Sequence, residues 1–483
     1  MQDFEKAKAL FFDGLRELEL GRPQEAERCF RGSLALVPDR VSTMVNLSSS
    51  LLRQRRAADA GEVAQRVLAI DRQAADGWLN LGLASQGLGD LNQALDCMDR
   101  ALQINPAYAE AFSDKGVILT ELQRLEEALA CHAQGLKLNP GNPQALTNMG
   151  VTLSALGRLD DAMRCYDEAL LASPGLPDAN WNQALIRLAR EDFRDGWRQY
   201  EYRWSRSDAD SYLHPEVQPL QDLAHAPGKR VLLWAEQGLG DTLQFSRYVA
   251  LLTARGASVT LEVPEALRGL LGRMGHGATV VARNRAPGPF DWQLPLMSLP
   301  RLFGTQPTDI PAATPCLSAP AERVAYWGTW FGPAKSRPRI GIAVQGNPRH
   351  RNDLSRSMPL AKVRALTEIG DVFLIQTDVS EGDRKFLALN PAIQFLGDRL
   401  DDFDETAAIV HHMDVVVSVD TSLAHLAGAM GKRLYVLLPW IAEWRWRLQG
   451  DTTPWYPSAT LLRQPVASDW DSVVGDLVSR LRA

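Results

Sequence analysis

The chain has 483 residues, enough for more than one folding unit, and its 45% hydrophobic and 23% charged residues are those of a globular protein. A formal net charge of -6 argues against nucleic acid or an anionic membrane surface as the main partner. The start Met1-Gln2-Asp3-Phe4-Glu5 opens into a charged helix, and no apolar run reaches the ~18 residues of a membrane span, so a cytoplasmic protein is expected.

The first 200 residues are periodic. Pro38, Pro106, Pro140 and Pro174 stand on one 34-residue grid, as do Gly14, Gly82, Gly116 and Gly150, and Ala26, Ala94, Ala128 and Ala162. Cys29, Cys97, Cys131 and Cys165 share the spacing and read as one buried position repeated, with no CxxC pair. Each unit predicts two amphipathic helices that approach closely at a small residue and end at a proline. The pattern resembles the tetratricopeptide repeat over five units, about 7–176. The second unit is degenerate, with Ser48 for glycine and Arg72 for proline, while Ala60 keeps the close contact. A partial sixth unit rich in aromatics, Asn180–Trp204, is expected to cap the array and dock it onto the next domain, or to bind a ligand. The array is therefore placed at residues 1–204.

Asn46, Asn80, Asp114, Asn148 and Asn182 also fall on the grid, just before the small residue. Amide side chains offer donor and acceptor together, so these five are candidates to hold a protein acceptor's backbone in the groove, or to bond between helices. The ladder resembles the one lining the groove of O-linked N-acetylglucosamine transferases.

Residues 205–228 turn to Ser, Asp, Pro and His and predict a linker. Short apolar runs then alternate with helices: Arg230–Ala235, Val259–Val263 and Thr279–Val281, and again Arg339–Val344, Val372–Gln376, Val415–Val419 and Leu434–Leu438. This spacing predicts two parallel sheets in two lobes, at 229–325 and 326–483, the second closed by a C-terminal helix. Ligands in such sheets sit at the carboxyl ends of strands, so those loops hold the candidates.

Gly238-Leu239-Gly240-Asp241 follows the first run and opens a helix, with Asp241 either an N-terminal cap or a side chain presented toward the inter-lobe cleft. Asp420-Thr421-Ser422-Leu423-Ala424-His425 follows the Val415–Val419 run, and amides at that helix start fit a diphosphate. His425 is a ligand-facing or a structural histidine. The basic loop Gln345–Ser357 contributes Gln345, Asn347 and the cations Arg349, Arg351 and Arg356, with Arg356 the strongest candidate for a phosphate. Gln376, at the end of its strand, joins the donor-side set. Trp440, Trp444-Arg445-Trp446 and Trp455-Tyr456-Pro457 either stack on a base or sugar or pack a crossing between lobes.

Together, Gly240-Asp241, the Asp420–His425 segment and the Trp444–Trp446 and Trp455–Pro457 segments resemble a bacterial tetratricopeptide-repeat glycosyltransferase with a heptosyltransferase-like half. The resemblance implies an α plus α/β protein, a repeat superhelix followed by a GT-B fold of two Rossmann-like lobes, acceptor side first and nucleotide-sugar side second. It implies Asp241 as catalytic base, with Gly238, Gly240, Gln345, Asn347, Arg356, Gln376, Asp420, Thr421, Ser422 and His425 holding a nucleotide-sugar co-substrate. The transfer it implies is inverting, with no metal and no obligatory cofactor, onto a hydroxyl of a protein such as flagellin. The Gln345–Ser357 loop departs from the family in having no counterpart of its donor-binding lysine. A non-catalytic scaffold and a lipopolysaccharide heptosyltransferase are the alternatives.

Overall fold

The computed structural model describes residues 2–206, 212–311, 316–333, 336–347 and 353–483. Arg349 and Arg351 lie outside the described residues. The chain divides into two compact units, Met1–Asn182 and Gln183–Ala483.

The first unit is a helix-pair array: Gln2–Glu19 with Pro23–Leu36, Val41–Arg53 with Ala57–Ile70, and Ala75–Gly87 with Leu91–Ile104. Ala109–Glu121 with Leu125–Leu138 and Pro143–Ala155 with Leu159–Ala172 continue it. The grid glycines are contact points. A Cβ on Gly14 would lie 2.5 Å from Phe30, on Gly82 2.8 Å from Met98, on Gly116 2.4 Å from His132, and on Gly150 2.4 Å from Tyr166. One large side chain of the second helix thus fills the space each glycine leaves, which is the physical content of the repeat. In the degenerate second unit Ser48 instead donates to the Ala60 carbonyl at 2.9 Å, and the position corresponding to those large residues is Ala64, fully buried. The cysteines divide: Cys97 is buried, while Cys29, Cys131 and Cys165 are intermediate.

A second period escapes the sequence. The turn between the two helices of each pair holds one residue in the left-handed region. It is Gly21, Gly89 or Gly157 (φ 71, 86 and 74°) in some units, and Arg55, Gln123 or Glu191 (φ 60, 60 and 63°) in others. Only the glycines take that conformation without a Cβ penalty.

The second unit opens with Gln183, within the Pro177–Ala189 helix, and so takes in the end of the segment expected to belong to the array. The Phe193–Tyr200 helix and its aromatics belong to this unit: Trp197 packs edge-on against Trp444 (5.3 Å), Phe245 (5.9 Å) and Tyr200 (5.6 Å). These rings are buried packing.

Ten parallel strands follow among the described residues: β1 (Arg230–Trp234), β2 (Ser258–Val263), β3 (Thr279–Ala282), β4 (Trp292–Pro295), β5 (Arg339–Ala343), β6 (Asp371–Leu374), β7 (Ile393–Phe395), β8 (Val415–Val419), β9 (Leu434–Leu438) and β10 (Ala459–Arg463). They form one sheet in the order β3-β2-β1-β4 and a second in the order β10-β9-β8-β5-β6-β7. Counted from β5, the second is the 3-2-1-4-5-6 order of doubly wound dinucleotide-binding sheets, and the first is its 3-2-1-4 part. The strand direction of progress reverses between β1 and β4 and between β5 and β8, and the crevices outside those carboxyl ends are where such sheets bind ligands. β8 and β9 are buried at every residue, as strands covered on both faces must be. The second sheet's core joins Ile340, Val372, Val417 and Leu437 to Trp470, Val473 and Leu477 of the C-terminal helix Trp470–Arg482.

Two boundaries need correction. The expected linker 205–228 is partly lobe: Leu220 donates its N–H to the Gln293 carbonyl, Gln293 donates to Gln218 (both 2.9 Å), and Leu220, Leu223 and Ala226 are buried. Backbone pairing with the edge strand β4 decides this, despite the polar composition. The lobe boundary also falls before residue 325. The Ala321–Phe331 helix is bound to the second lobe by Arg323 to Asp402 and Glu405, and by His412 Nε2 to the Val324 carbonyl at 2.8 Å.

Candidate functional site

After β1 the chain passes through Ala235 and Glu236 into Gln237, which takes a left-handed conformation (φ 56°), and Gly238 starts the Leu239–Phe245 helix. Asp241 Oδ2 accepts the Gly238 N–H at 2.8 Å, fixing the turn as a helix cap. Its Oδ1 accepts a charge-assisted hydrogen bond from Arg445. Asp241 thus caps its helix and is paired with Arg445 of the second lobe. Receiving a proton requires that Oδ1 be released from Arg445.

Glu236, beside it, is buried and pairs with Arg203 at 2.7 and 2.9 Å, while Met297 after β4 donates its N–H to the same carboxylate at 3.2 Å. Burial pushes the Glu236 carboxyl up, against the pull of Arg203. This ion pair ties the segment before β1 to the reversal point of the first sheet.

After β8, Thr421 caps the Ser422–Ala429 helix, accepting the Leu423 N–H at 3.3 Å and bonding Ser418 Oγ at 2.9 Å. Ser422 is the first residue of that helix. Burial pushes the Asp420 carboxyl up, countered by the neighbouring Trp446 indole and by Arg445 and Arg356. His425 is buried, with Nδ1 bonded to the Tyr456 hydroxyl at 2.9 Å and Nε2 3.9 Å from Asp420 Oδ1. Burial, with Arg445 and Arg247 nearby, holds its imidazole well below its usual range, so it is uncharged. A neutral ring can donate one N–H to a phosphate and cannot supply a positive charge.

The Leu239–Phe245 and Ser422–Ala429 helices pack on each other. Gly240 permits it: a Cβ there would stand 2.5 Å from His425 Cδ2. The candidate base and the candidate diphosphate site are thereby brought to one place, one from each lobe. Arg247 adds a tie, donating to the Trp455 carbonyl at 2.9 Å with its guanidinium 5.0 Å from the Tyr456 ring centre.

The loop after β5 joins from the side. Arg356 donates to Asp353 at 3.2 Å and to the Asp420 carbonyl at 3.2 Å, and a Cβ on Gly346 would lie 2.3 Å from its guanidinium. Gln345 and Asn347 lie on the same loop, half-buried and exposed respectively. Gln376 is not placed as expected. Its buried amide accepts from Val344 N at 2.9 Å and donates to the Asp378 carbonyl at 2.8 Å, so both ends hold backbone that the strand ends leave unpaired. Trp444, Trp446, Trp455 and Tyr456 are buried packing, which removes them as a stacking surface, whereas Trp440 is 49% exposed. A hollow of about 730 Å³ lined by Asp222, Arg255, Arg301 and Phe303 contains none of these residues.

In the first unit the ladder residues serve two ends. Asn80 donates to the Val45 carbonyl at 2.9 Å and Asn148 to Ser113 Oγ at 3.3 Å, each tying its helix to the first helix of the preceding unit. Asn46 and Asn182 bond within their own helices, to Ser42 and Asp178, at 2.8 Å. Asp114 has no N–H to give, and burial, with Glu110 beside it, pushes its carboxyl up to about 7.

Tetratricopeptide-repeat patterns match residues 14–75, 75–108 and 119–188, so these repeats are present in the chain. Protein FlbA of Caulobacter vibrioides is 25% identical over 331 residues, covering 62% of this chain and 54% of FlbA. The chain thus spans about half the length of that curated relative, and a match of this extent exceeds the Met1–Asn182 unit and reaches into the α/β unit. Among solved structures, a thermophilic repeat protein in Thermus thermophilus is 24% identical, with 37% of this chain and 97% of that one covered and a TM-score of 0.35. YrrB, a repeat protein with an unusual peptide-binding site, is 20% identical, with 35% and 88% covered and a TM-score of 0.28. Among the described residues no helix is long and apolar enough to cross a membrane.

Proposed function

We propose that the chain is a glycosyltransferase of the GT-B type, moving a sugar from a nucleotide sugar to a hydroxyl of a protein acceptor held by the repeat array. The observation that carries this reading is the apposition of Asp241 and the Asp420–Ser422 helix start, one from each of two doubly wound sheets, across the Gly240–His425 contact. The loops concerned follow β1 and β8, the strands that border the two reversal points.

In this mechanism Asp241 takes the proton of the acceptor hydroxyl as its oxygen attacks the anomeric carbon. The bond from that carbon to the diphosphate oxygen breaks, and the nucleoside diphosphate leaves with the electron pair. Thr421, Ser422 and the first amides of the Ser422–Ala429 helix receive its charge. Arg356 acts by holding the Asp420 turn, and His425 by fixing the approach of the two helices. The transfer inverts the anomeric centre and needs no metal. The place of action is the cytoplasm, and flagellin is the acceptor suggested by the resemblance.

The test is release of nucleoside diphosphate from a panel of nucleotide sugars. Wild type is expected to hydrolyse one of them slowly, and Asp241→Asn to lower that release at least ~100-fold, the range of a lost general base. Release from none of the panel refutes the transferase and leaves a repeat scaffold.

A further inference from the structure

We propose that Arg445 is the residue that receives the diphosphate of the donor, and that in doing so it exchanges its bond to Asp241 for the phosphate. This rests on the transferase reading above. Arg445 stands in the Trp444–Trp446 turn after β9, and its side chain is 8% exposed. It is the meeting point of the site: it donates to Asp241 of the first lobe, to Glu443 of its own turn and, through Nε at 2.8 Å, to Gln244 of the Leu239–Phe245 helix. Its charge also bears on Asp420 and His425, which flank the start of the Ser422–Ala429 helix.

A buried guanidinium must be paired, and here two carboxylates do it. Carboxylate and phosphate are alternative partners of the same planar fork, and a diphosphate carries more charge than either acid. Of the neighbouring guanidiniums, Arg356 is engaged with Asp353 and the Asp420 carbonyl, whereas Arg247 donates one nitrogen to the Trp455 carbonyl and keeps its buried Nη2 without a partner among the described residues, so only Arg445 has a carboxylate of the first lobe to exchange. Glu443 remains to hold Arg445 when it turns. Its side chain is 38% exposed, at the rim of the crowded site. The exchange has a consequence for order: Asp241 gains a free oxygen only when donor is bound.

The experiment is calorimetric titration of the full chain with UDP, GDP and ADP. Asp241→Asn removes the competing anion and is expected to tighten the bound nucleotide about 10-fold. Arg445→Gln is expected to weaken it by at least as much, and the double variant to lose the gain of Asp241→Asn. Should Arg445→Gln fail to fold, Glu443→Gln replaces it, with a smaller tightening expected, since it releases the other partner. An unchanged or weaker affinity in Asp241→Asn overturns the exchange, and so does a gain that persists without Arg445, which would be general removal of negative charge. Failure of wild type to bind any of the three sinks the transferase reading itself.

Discussion

His132 lies beneath Gly116 at the position that Phe30, Met98 and Tyr166 occupy in other repeats. It is fully buried, neither ring nitrogen has a partner among the described residues, and burial holds its pKa down, to about 4. This burial carries two costs. An unpaired buried polar group costs ~1–3 kcal/mol at any pH. The second cost depends on pH: the unfolded chain takes up a proton near pH 6.5, which the folded imidazole resists until about pH 4. Stability is therefore full above the unfolded value and falls as pH drops through that window, by about 2 kcal/mol between pH 7 and pH 5.

His132→Phe removes both costs. The Gly14–Phe30 contact shows that a phenyl ring fits beneath this glycine, at 2.5 Å from an ideal Cβ against 2.4 Å for the imidazole. Hydrogen exchange of peptides from the Ala109–Glu121 and Leu125–Leu138 helices, corrected for the intrinsic pH dependence of amide exchange, reads the local opening free energy. The variant is expected to be more stable than wild type by ~1–3 kcal/mol at pH 7 and by about 2 kcal/mol more at pH 5. Equal pH slopes in the two proteins would refute a buried, neutral imidazole.

Three further outcomes are expected. Asp114→Asn supplies the donor that Asn80 and Asn148 provide in their units. Because the Asp114 carboxyl is raised to about 7, wild-type stability is lost as pH rises through that value, so the gain, ~1–2 kcal/mol after allowance for solvent contact, appears above pH 7 and shrinks below pH 4 in thermal melts. Gln123→Gly relieves a left-handed turn residue (φ 60°) and should raise the array's melting temperature, by about 1 kcal/mol in stability, where Gly89→Ala should lower it. Arg203→Met strands the buried Glu236 and should cost ~3–5 kcal/mol in urea unfolding, with most of it recovered on adding Glu236→Gln.

The parts of the fold that the sequence displays are those written in residue type. The glycine grid is visible because each glycine meets a large side chain that tolerates nothing bulkier, so size alone marks the position. The left-handed turn recurs on the same period but is hidden, because Arg55, Gln123 and Glu191 accept the strain that Gly21, Gly89 and Gly157 avoid. β4 and β7 escape for a related reason. Trp292–Pro295 and Ile393–Phe395 are three or four residues long and carry proline or glutamine, so pairing with a neighbour, rather than propensity, makes them strands.

The candidate site divides in the same way. Asp241 and the Asp420–Ser422 turn are legible because a helix start leaves amides that particular residue types satisfy locally, within three positions. Gln376 is misread because an amide serves ligand and backbone equally well, and only the strand ends it bridges decide between them. Arg445 is the opposite case. Within its own segment it is one cation among tryptophans, and its significance comes from Asp241 and Gln244, some two hundred residues earlier in the chain. A charge that must be paired across two lobes has no local signature. The distant residues that do have one, Asp241 and Asp420, mark where such a cation is required, and a buried site gathering carboxylates from two lobes requires a cation at its centre.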